Sequence, residues 1–381
     1  MSRRVLIIAG EASGDLHGAH LAAALKAQAP GLVIHGVGGA HMKAAGVELV
    51  QDIGHVDVIG LVGPSAVRAM VKRILTLRRM LRHEPFDLVV LIDNPGLNFH
   101  FARVAKRAGL RIVYYIAPQL WAWRPRRMKW MQRRVDHVLV VLPFEEALYR
   151  RAGVPCTFVG HPLMDEVAPS YDRDRVRAAY GLTRDACVIG LLPGSRTGEV
   201  RGLLPVFLDA VRLLQRDRPL RLLLAVAETV DREAIKRMCD EAGLDVRLVP
   251  DDPNGVIAAA ELLFIASGTA TLQAAIIGTP MVIAYKLPWF TYLLARLLVR
   301  VDSIGLANIV AGKPFIPELI QHRATPQRLA DEARRILDDA AYREGMRAEM
   351  ARVRSLLGAS GASARAAAVV LDQLCPGSAA R

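Results

Sequence analysis

The strongest constraint on the fold of this chain is a regular alternation of short apolar runs with helical segments. Each apolar run is continuous rather than alternating with polar residues, which is typical of strands buried on both faces of a parallel sheet. In the first half the runs are Arg4–Ala9, Asp87–Asp93, Arg111–Ile116 and His137–Leu142. Because helical patterns lie between them, this half predicts a βαβ series and a doubly wound sheet.

The second half repeats this series after an interruption. Residues Gly160–Ser170 contain two prolines and lead into a charged helix, so we expect a linker there. The runs that follow are Cys187–Pro193, Arg221–Ala227, Glu261–Ala266 and Pro280–Tyr285. A length of 381 residues also favours two domains. We therefore predict an α/β protein with two similar Rossmann-like domains and a cleft between them. The first domain is expected over residues 1–165 and the second over residues 166–340. Residues 341–381 are expected to form a C-terminal helical segment with a disordered tail.

One uncharged stretch, Leu262–Tyr285, is long enough to span a bilayer. It is interrupted at Ser267–Thr269 and at Gly278–Pro280, so a strand–loop–helix–strand unit inside a core explains it better. The apolar run near the N-terminus is too short for a signal peptide. We expect no transmembrane helix, and any membrane contact is expected to be peripheral.

The net charge of the chain indicates which classes of partner it can bind. A net charge of +13 and a pI of about 10 favour nucleic acid, anionic lipid or phosphorylated substrates. Aromatic residues make up only 6% of the chain, so platforms for stacking single-stranded nucleic acid are scarce. The four cysteines, Cys156, Cys187, Cys239 and Cys375, form no CxxC pair. Neither a disulfide framework nor a zinc site is expected, and a reducing cytosol fits this pattern.

Two basic amphipathic segments, Val67–Arg82 and Trp289–Val301, have the pattern of helices that lie on an anionic membrane surface. The commoner alternative is a core-packed helix whose charged face is solvated. The presence of two such segments favours membrane contact modestly.

Ligands of open α/β sheets bind beyond the carboxyl ends of the strands, so the loops there are the candidate sites. The first loop, Gly10–Asp15, can approach a ligand closely, but it can equally be a tight turn capped by Ser13 or Asp15. Asp93 ends an apolar strand and can act as a general base or can simply form a turn before Pro95.

A third loop, Pro118–Arg127, carries Trp121, Trp123 and Arg124. These residues could bind a phosphate or lie at a lipid headgroup layer. A packed loop with a solvated basic flank is the alternative.

Two further turns open helices in the second half. Gly194-Ser195-Arg196 offers loop amides, a helix N-terminus and a guanidinium for phosphate oxygens. Ser267-Gly268-Thr269 follows another strand, although Thr269 could be only a helix cap. Two such turns in one domain indicate a nucleotide diphosphate held between two helix N-termini.

Several segments together resemble one family. They are GEASGD, LIDNPGLN, YYIAPQLWAWRPRR, LPFE, VGHPLMD, LLPGSR, SGTATL and SIGLANIVAG, in this order. Over nearly its whole length the chain resembles the lipid-A-disaccharide synthases. The resemblance implies a GT-B fold and an inverting transfer of 2,3-diacylglucosamine from UDP to 2,3-diacylglucosamine 1-phosphate (lipid X), which gives a β-1,6-linked disaccharide 1-phosphate and UDP. Another GT-B transferase that uses a UDP-sugar and a lipid-linked acceptor is the alternative.

The resemblance also implies roles for individual residues. It makes Asp93 the base, places Ser13 near the reaction centre, and assigns Arg196 to the UDP diphosphate and Asn308 to the neighbourhood of the nucleotide. Gln273 stands where the family usually has a glutamate for the ribose hydroxyls. The resemblance implies no cofactor and no metal.

The partners that the resemblance implies are UDP-diacylglucosamine, lipid X and an anionic phospholipid surface, and not nucleic acid. The expected location is cytoplasmic and peripheral, on the inner face of the inner membrane of a Gram-negative cell. A homodimer is left open.

Overall fold

The computed structural model describes residues 2–52, 64–123, 127–287 and 303–374. The chain divides into two compact units. The first unit comprises Met1–Asp165 and Gly358–Arg381, and the second comprises Glu166–Leu357. The chain therefore passes from the first unit to the second within the predicted linker and returns once.

The first unit contains a parallel sheet with the strand order β3-β2-β1-β4-β5-β6-β7. Its strands are β1 Arg4–Ala9, β2 Val33–Gly38, β3 Glu48–Asp52, β4 Leu88–Ile92, β5 Arg111–Tyr115, β6 His137–Val140 and β7 Cys156–Phe158. Its helices are α1 Ala12–Gln28, α2 Ala40–Ala44, α3 Pro64–His83, α4 Pro95–Arg107, α5 Leu120–Trp123, α6 Met128–Gln132, α7 Glu145–Arg151 and α8 Leu163–Glu166. The central strands β1 and β4 pair from Val5 opposite Leu88 to Ala9 opposite Ile92, so their carboxyl ends are level.

The second unit contains a parallel sheet with the order β10-β9-β8-β11-β12-β13. Its strands are β8 Val188–Leu192, β9 Arg221–Val226, β10 Val246–Pro250, β11 Leu262–Ala266, β12 Met281–Tyr285 and β13 Glu318–Ile320. Its helices are α9 Arg173–Ala179, α10 Thr197–Gln215, α11 Arg232–Glu241, α12 Pro253–Ala259, α13 Ala270–Ile277, α14 Leu306–Ala311, α15 Pro326–Asp338 and α16 Ala340–Leu356. The strands β8 and β11 are completely or almost completely buried, as their apolar sequences predict.

All eight strands predicted from apolar runs are confirmed, and they include the centre of each sheet. The strand β2 (VIHGVG) was missed because two glycines and a histidine interrupt its apolar character. Gly36 is required by packing, since a Cβ atom there would lie 2.6 Å from side-chain atoms of Met42 and Val47. The strand β10 was missed because it lies at an edge and its side chains are mostly partly or fully exposed.

The fold bears on the predictions for the uncharged stretch and for the cysteines. The uncharged stretch Leu262–Tyr285 forms β11, α13 and β12, as predicted. Within the residues that the structure describes, no helix is long and apolar enough to cross a membrane. Cys156, Cys187 and Cys239 are free thiols, and Cys375 lies outside the described residues.

The C-terminal segment, predicted as one piece over 341–381, is divided between the units. Helix α16 belongs to the second unit, and α17, Ala362–Leu374, belongs to the first. Asp165 holds the returning chain by accepting hydrogen bonds from the backbone N–H groups of Gly361 and Ser363, and Arg365 Nε donates to Val159 O at 2.8 Å. The tail after Leu374, predicted to be disordered, lies outside the described residues.

A buried arginine fixes α9 to the second sheet and yields a stability prediction. Arg177 is only 3% exposed and donates to Ala259 O at 3.0 Å and to Glu261 Oε1 at 3.0 Å. Arg177→Ala would leave Glu261 with Arg173 alone, and we expect the free energy of unfolding to fall by about 3 kcal/mol. Urea denaturation measures the loss.

Arg184→Ala is the matched control, because the Arg184 side chain is 81% exposed in its pair with Asp174. We expect a change below about 1 kcal/mol for this exposed pair. Equal losses in the two variants would contradict the structural role of Arg177.

Candidate active site

The carboxyl ends of β1 and β4 form the first candidate site. These neighbouring strands lead into crossovers that run in opposite directions along the sheet, so the loops after them diverge and leave a crevice. Gly10 and Glu11 follow β1, and Asp93 and Asn94 follow β4. The structure thus brings the first sequence motif and the predicted base to the same edge.

Asp93 and Asn94 have unusual backbone conformations. Their φ angles are 46° and 35°, in the left-handed region that side chains other than glycine seldom adopt. The strained turn aims the chain from β4 into α4, where Asn94 Oδ1 caps the helix by accepting from Leu97 N at 3.3 Å. Non-glycine residues in such conformations cost about 1–3 kcal/mol each and persist where surrounding contacts hold them.

Two buried side chains supply those contacts. Tyr114 Oη donates to the backbone carbonyl of Asp93 at 2.6 Å, and Asn98 Nδ2 donates to the same oxygen at 2.8 Å. Asn98 Nδ2 also donates to Ile92 O at 2.8 Å. Because Tyr114 and Asn98 are completely buried, the peptide that carries the Asp93 carboxylate is firmly positioned.

The Asp93 carboxylate is hard to ionise for its type. Its pKa is raised from 3.8 to about 6, first by burial and then by the charge of Glu11, while a hydrogen bond from the Asn94 backbone opposes the rise. Glu11 is held in place because its Oε1 accepts from Asn94 Nδ2 at 3.2 Å. Gly10 permits this packing, since a Cβ atom there would lie 2.5 Å from Asn94 Nδ2.

Ser13 and Asp15 have different positions in the first motif. Ser13 is exposed in the first turn of α1 and stays a predicted site residue. Asp15 is 3% exposed and accepts from the backbone N–H groups of Gly39, His41 and Met42 at 2.6, 3.0 and 3.2 Å. The alternative that Ser13 or Asp15 caps α1 is excluded, because Glu11 occupies the N-cap and Asp15 accepts from the backbone N–H groups at the start of α2 instead.

The loop with the two indoles is only partly described. Trp121 Nε1 donates to Glu145 Oε1 at 3.0 Å, and its ring meets Phe144 edge-on at 4.9 Å. Glu145 is 1% exposed, and burial raises its pKa to about 7 against hydrogen bonds from Trp121 and the backbone. Trp121 is therefore packed inside its own unit. The side chain of Trp123 and all of Arg124 lie outside the described residues.

The carboxyl ends of β8 and β11 form the second candidate site, again where the strand order reverses. Gly194 has a φ of 113°, and it turns the chain toward the N-terminus of α10. Ser195 and Arg196 are exposed, and the Ser195 carbonyl accepts from Thr229 Oγ1 at 2.6 Å. The Arg196 side chain is 65% exposed and pairs with Glu199 at 3.1 Å, so it is accessible to an anion.

The neighbouring turn follows β11. Ser267 Oγ donates to Ile304 O at 2.8 Å, Gly268 has a φ of 157°, and Thr269 is the N-cap of α13 without a side-chain hydrogen bond to the helix. The N-termini of α10 and α13 therefore lie in neighbouring loops of one edge, which suits an anionic group. Gln273, on α13, donates from Nε2 to Asn254 Oδ1 at 3.2 Å and stays a predicted ribose contact.

Asn308 is fully engaged inside the protein. It is 1% exposed, its Nδ2 donates to Ile316 O and Glu318 Oε1 at 2.9 and 2.7 Å, and its Oδ1 accepts from the backbone N–H groups of Phe315 and Ile316 at 3.1 and 3.0 Å. Both donors and both acceptor positions of the amide are used. Any effect of Asn308 on a nucleotide is therefore expected to pass through the loop that it positions.

Two carboxylates that organise these edges are not indicated by the sequence. Glu11 lies in the candidate loop Gly10–Asp15, but no sequence pattern indicated that it raises the pKa of Asp93. Glu318 accepts from Ile304 N, Gly305 N and Asn308 Nδ2 at 2.8, 3.0 and 2.7 Å. It is distant in sequence from the Ser267 turn that it supports through Ile304, so no local pattern could reveal it.

Comparison with known proteins agrees with this architecture. The family model for lipid-A-disaccharide synthetase matches residues 5–370. A lipid-A-disaccharide synthase from Geobacter metallireducens is 45% identical over 375 residues, which cover 98% of each protein.

Solved structures also resemble the chain. UDP-GlcNAc 2-epimerase from Neisseria meningitidis, bound to UDP-GlcNAc, gives a TM-score of 0.68 at 12% identity and covers 97% of this chain and 100% of its own. A glycosyltransferase from Rickettsia africae gives 0.60 at 10% identity, with coverage of 99% and 100%. At such low sequence identities the similarity shows the fold alone. The predicted GT-B type, with two Rossmann-like units, is confirmed.

The raised pKa of Asp93 predicts a trade-off between stability and function. A carboxyl whose pKa is higher in the folded than in the unfolded state stabilises the folded protein while it is protonated. This contribution is complete below about pH 4 and is lost as the pH rises through about 6. At pH 8 the ionised form destabilises the protein by up to about 3 kcal/mol. We expect Asp93→Asn, which tolerates the same backbone conformation, to raise the melting temperature clearly more at pH 8 than at pH 4.5, where the folded carboxyl is still protonated. A gain of equal size at both pH values would contradict the assignment.

Proposed function

The chain belongs to the lipid-A-disaccharide synthetase family, and from this premise we propose that it transfers 2,3-diacylglucosamine from UDP to the 6-hydroxyl of lipid X. The products are the β-1,6-linked disaccharide 1-phosphate and UDP. The observation that carries the proposal is Asp93, a positioned carboxylate with a pKa of about 6 at the reversal of the first sheet. The proposed phosphate-binding edge is that of the second sheet.

Asp93 is the proposed general base. Its carboxylate accepts the proton of the acceptor 6-hydroxyl while that oxygen attacks the anomeric carbon of the donor. The sugar–phosphate bond breaks on the opposite side, so the α-linked donor gives a β-linked product. A pKa of about 6 suits this task, because the group is mostly ionised at neutral pH yet more basic than an ordinary aspartate.

The leaving UDP takes on negative charge as the bond breaks. The loop Gly194-Ser195-Arg196 and the turn Ser267-Gly268-Thr269 offer backbone amides and helix N-termini to that charge. Arg196 can exchange Glu199 for a phosphate oxygen, because its side chain is mostly exposed. Gln273 is the proposed contact to the ribose.

Helix α3 is the proposed membrane contact of the first unit. Leu77 and Leu81 are buried in the core, whereas Val71 and Leu75, one helical turn apart, are 49% and 56% exposed. This exposed apolar pair lies among arginines, which suits peripheral binding to an anionic surface at the inner face of the membrane. The basic segment Trp289–Val301 lies outside the described residues.

A transfer assay tests the reaction. The enzyme is incubated with UDP-2,3-diacylglucosamine and lipid X, and disaccharide 1-phosphate and UDP are measured. We expect equal amounts of the two products, and loss of turnover in Asp93→Asn by at least about a hundredfold. Absence of the disaccharide with the wild-type protein would refute the proposed function, and near-normal turnover of Asp93→Asn would refute the base.

Binding of UDP tests the second edge separately. Arg196→Ala should weaken the calorimetric UDP Kd by about tenfold to a hundredfold, because a charge-assisted contact to phosphate is lost. Arg201→Ala, an exposed arginine on the same helix, and Asp93→Asn should both leave the Kd within about twofold of the wild type. An unchanged Kd in Arg196→Ala would exclude the diphosphate assignment.

A further inference from the structure

The carboxyl end of β12 brings a lysine to the edge that the second unit offers to phosphate. Strands β11 and β12 pair in parallel, with Ala266 opposite Ala284 at their carboxyl ends. The chain continues after β11 into the turn Ser267-Gly268-Thr269, and after β12 it reaches Lys286 one residue beyond the strand. Lys286 therefore lies at the same edge as one of the two proposed phosphate-binding turns.

Helix α10, which follows the other proposed turn, packs beside the same lysine. A Cβ atom added at Gly202 would lie 3.9 Å from Lys286 Cβ. Gly202 comes five residues after Thr197, the first residue of α10, which is about 7.5 Å along the helix axis. The flexible four-carbon stem of a lysine covers most of that distance. Because α10 begins at the carboxyl edge of the sheet, the Lys286 ammonium can reach the first turn of this helix.

The charges at the start of α10 act on the end of β12. Burial raises the pKa of Tyr285, the charge of Glu199 raises it as well, and the charge of Arg196 opposes the rise. The Arg196–Glu199 pair is thus within electrostatic range of the residue that precedes Lys286. Space for a ligand is open at both turns, because a Cβ atom added at Gly198 or at Gly268 would meet no atom of the described chain within 4 Å.

The main chain next to Lys286 is fixed from the neighbouring strand. Gln321, which follows β13, accepts at Oε1 from Leu287 N at 2.7 Å and donates from Nε2 to Leu287 O at 3.0 Å. Lys286 itself is only partly exposed, and no carboxylate among the residues that the structure describes forms a salt bridge with it. Lysines are seldom covered unless they are paired, so an anion bound at this edge would stabilise the position.

We propose that Lys286 is a second cation of the donor site and binds the diphosphate of the UDP-sugar together with Arg196. Its ammonium neutralises the phosphate oxygens that gain charge as the sugar–phosphate bond breaks, so it stabilises the departing UDP more strongly than the bound donor. Arg196 offers a planar fork of N–H donors, whereas an ammonium on a flexible stem is a point charge that can follow the leaving group. The inference rests on the proposed function for the identity of the ligand.

Binding of UDP and of uridine to the full chain tests the contact. Lys286→Met keeps the stem that packs beside Gly202 and removes the charge. It should weaken the calorimetric UDP Kd by about tenfold, because a charge-assisted contact to phosphate is lost. Uridine, which lacks both phosphates, should bind the variant and the wild type alike in a ligand-observed NMR titration. The kcat of disaccharide synthesis should fall by about tenfold to a hundredfold, and Lys286→Arg should restore most of it.

Lys236→Met, at an exposed position of α11 in the same unit, changes the net charge equally and is the matched control. Its UDP Kd and its kcat should stay within about twofold of the wild type. A UDP Kd and a kcat that Lys286→Met leaves unchanged would overturn the assignment of Lys286 while the wild-type activity upholds the proposed function. Equal weakening of UDP and uridine binding would overturn it too, since that result indicates a general distortion of the site. A wild-type protein that neither binds UDP nor forms the disaccharide would refute the proposed function and this inference with it.

Discussion

The reversal of strand order within each parallel sheet is the constraint on which the candidate site of that sheet depends. Because crossovers between parallel strands are right-handed, the chain that leaves β1 and the chain that leaves β4 pass to opposite faces of the sheet. Their loops separate and leave a crevice between the start of α1 and the start of α4. The strands β8 and β11 repeat the arrangement in the second unit. Glycines with positive φ, Gly194 and Gly268, then let the chain turn tightly at that second edge.

The energetics of Asp93 follow from its place at this reversal. The turn combines two left-handed residues with a partly buried carboxylate whose ionisation is opposed by burial and by Glu11. Each of these features destabilises the fold. Tyr114 and Asn98 compensate by binding the Asp93 carbonyl from the buried side, so the strain is confined to one peptide while the carboxylate stays basic. Backbone strain together with a perturbed pKa is common at active sites, where the residues that perform the chemistry reduce the stability of the fold.

The sequence predicted the centre of each sheet because strands buried on both faces have continuous apolar sequences, as β4 and β11 do. It also predicted that Asp93 and Arg196 lie at strand ends, which follows from counting along those runs. It could not reveal β2, whose glycines are explained only by the side chains of Met42 and Val47 packed against them. Nor could it separate Asn308 from a ligand contact, since the partners that satisfy its amide lie seven to ten residues away, before and at the start of β13.

The pH dependence of kcat/KM for disaccharide synthesis tests whether a carboxylate made basic by burial and by Glu11 accepts the proton of the acceptor hydroxyl. This ratio reports ionisations of the free enzyme. We expect kcat/KM to fall as the pH falls through an apparent pKa of about 6, and Glu11→Gln to move this limb of the profile to lower pH. A profile that is flat from pH 7 to pH 5, or a limb that Glu11→Gln leaves in place, would contradict it.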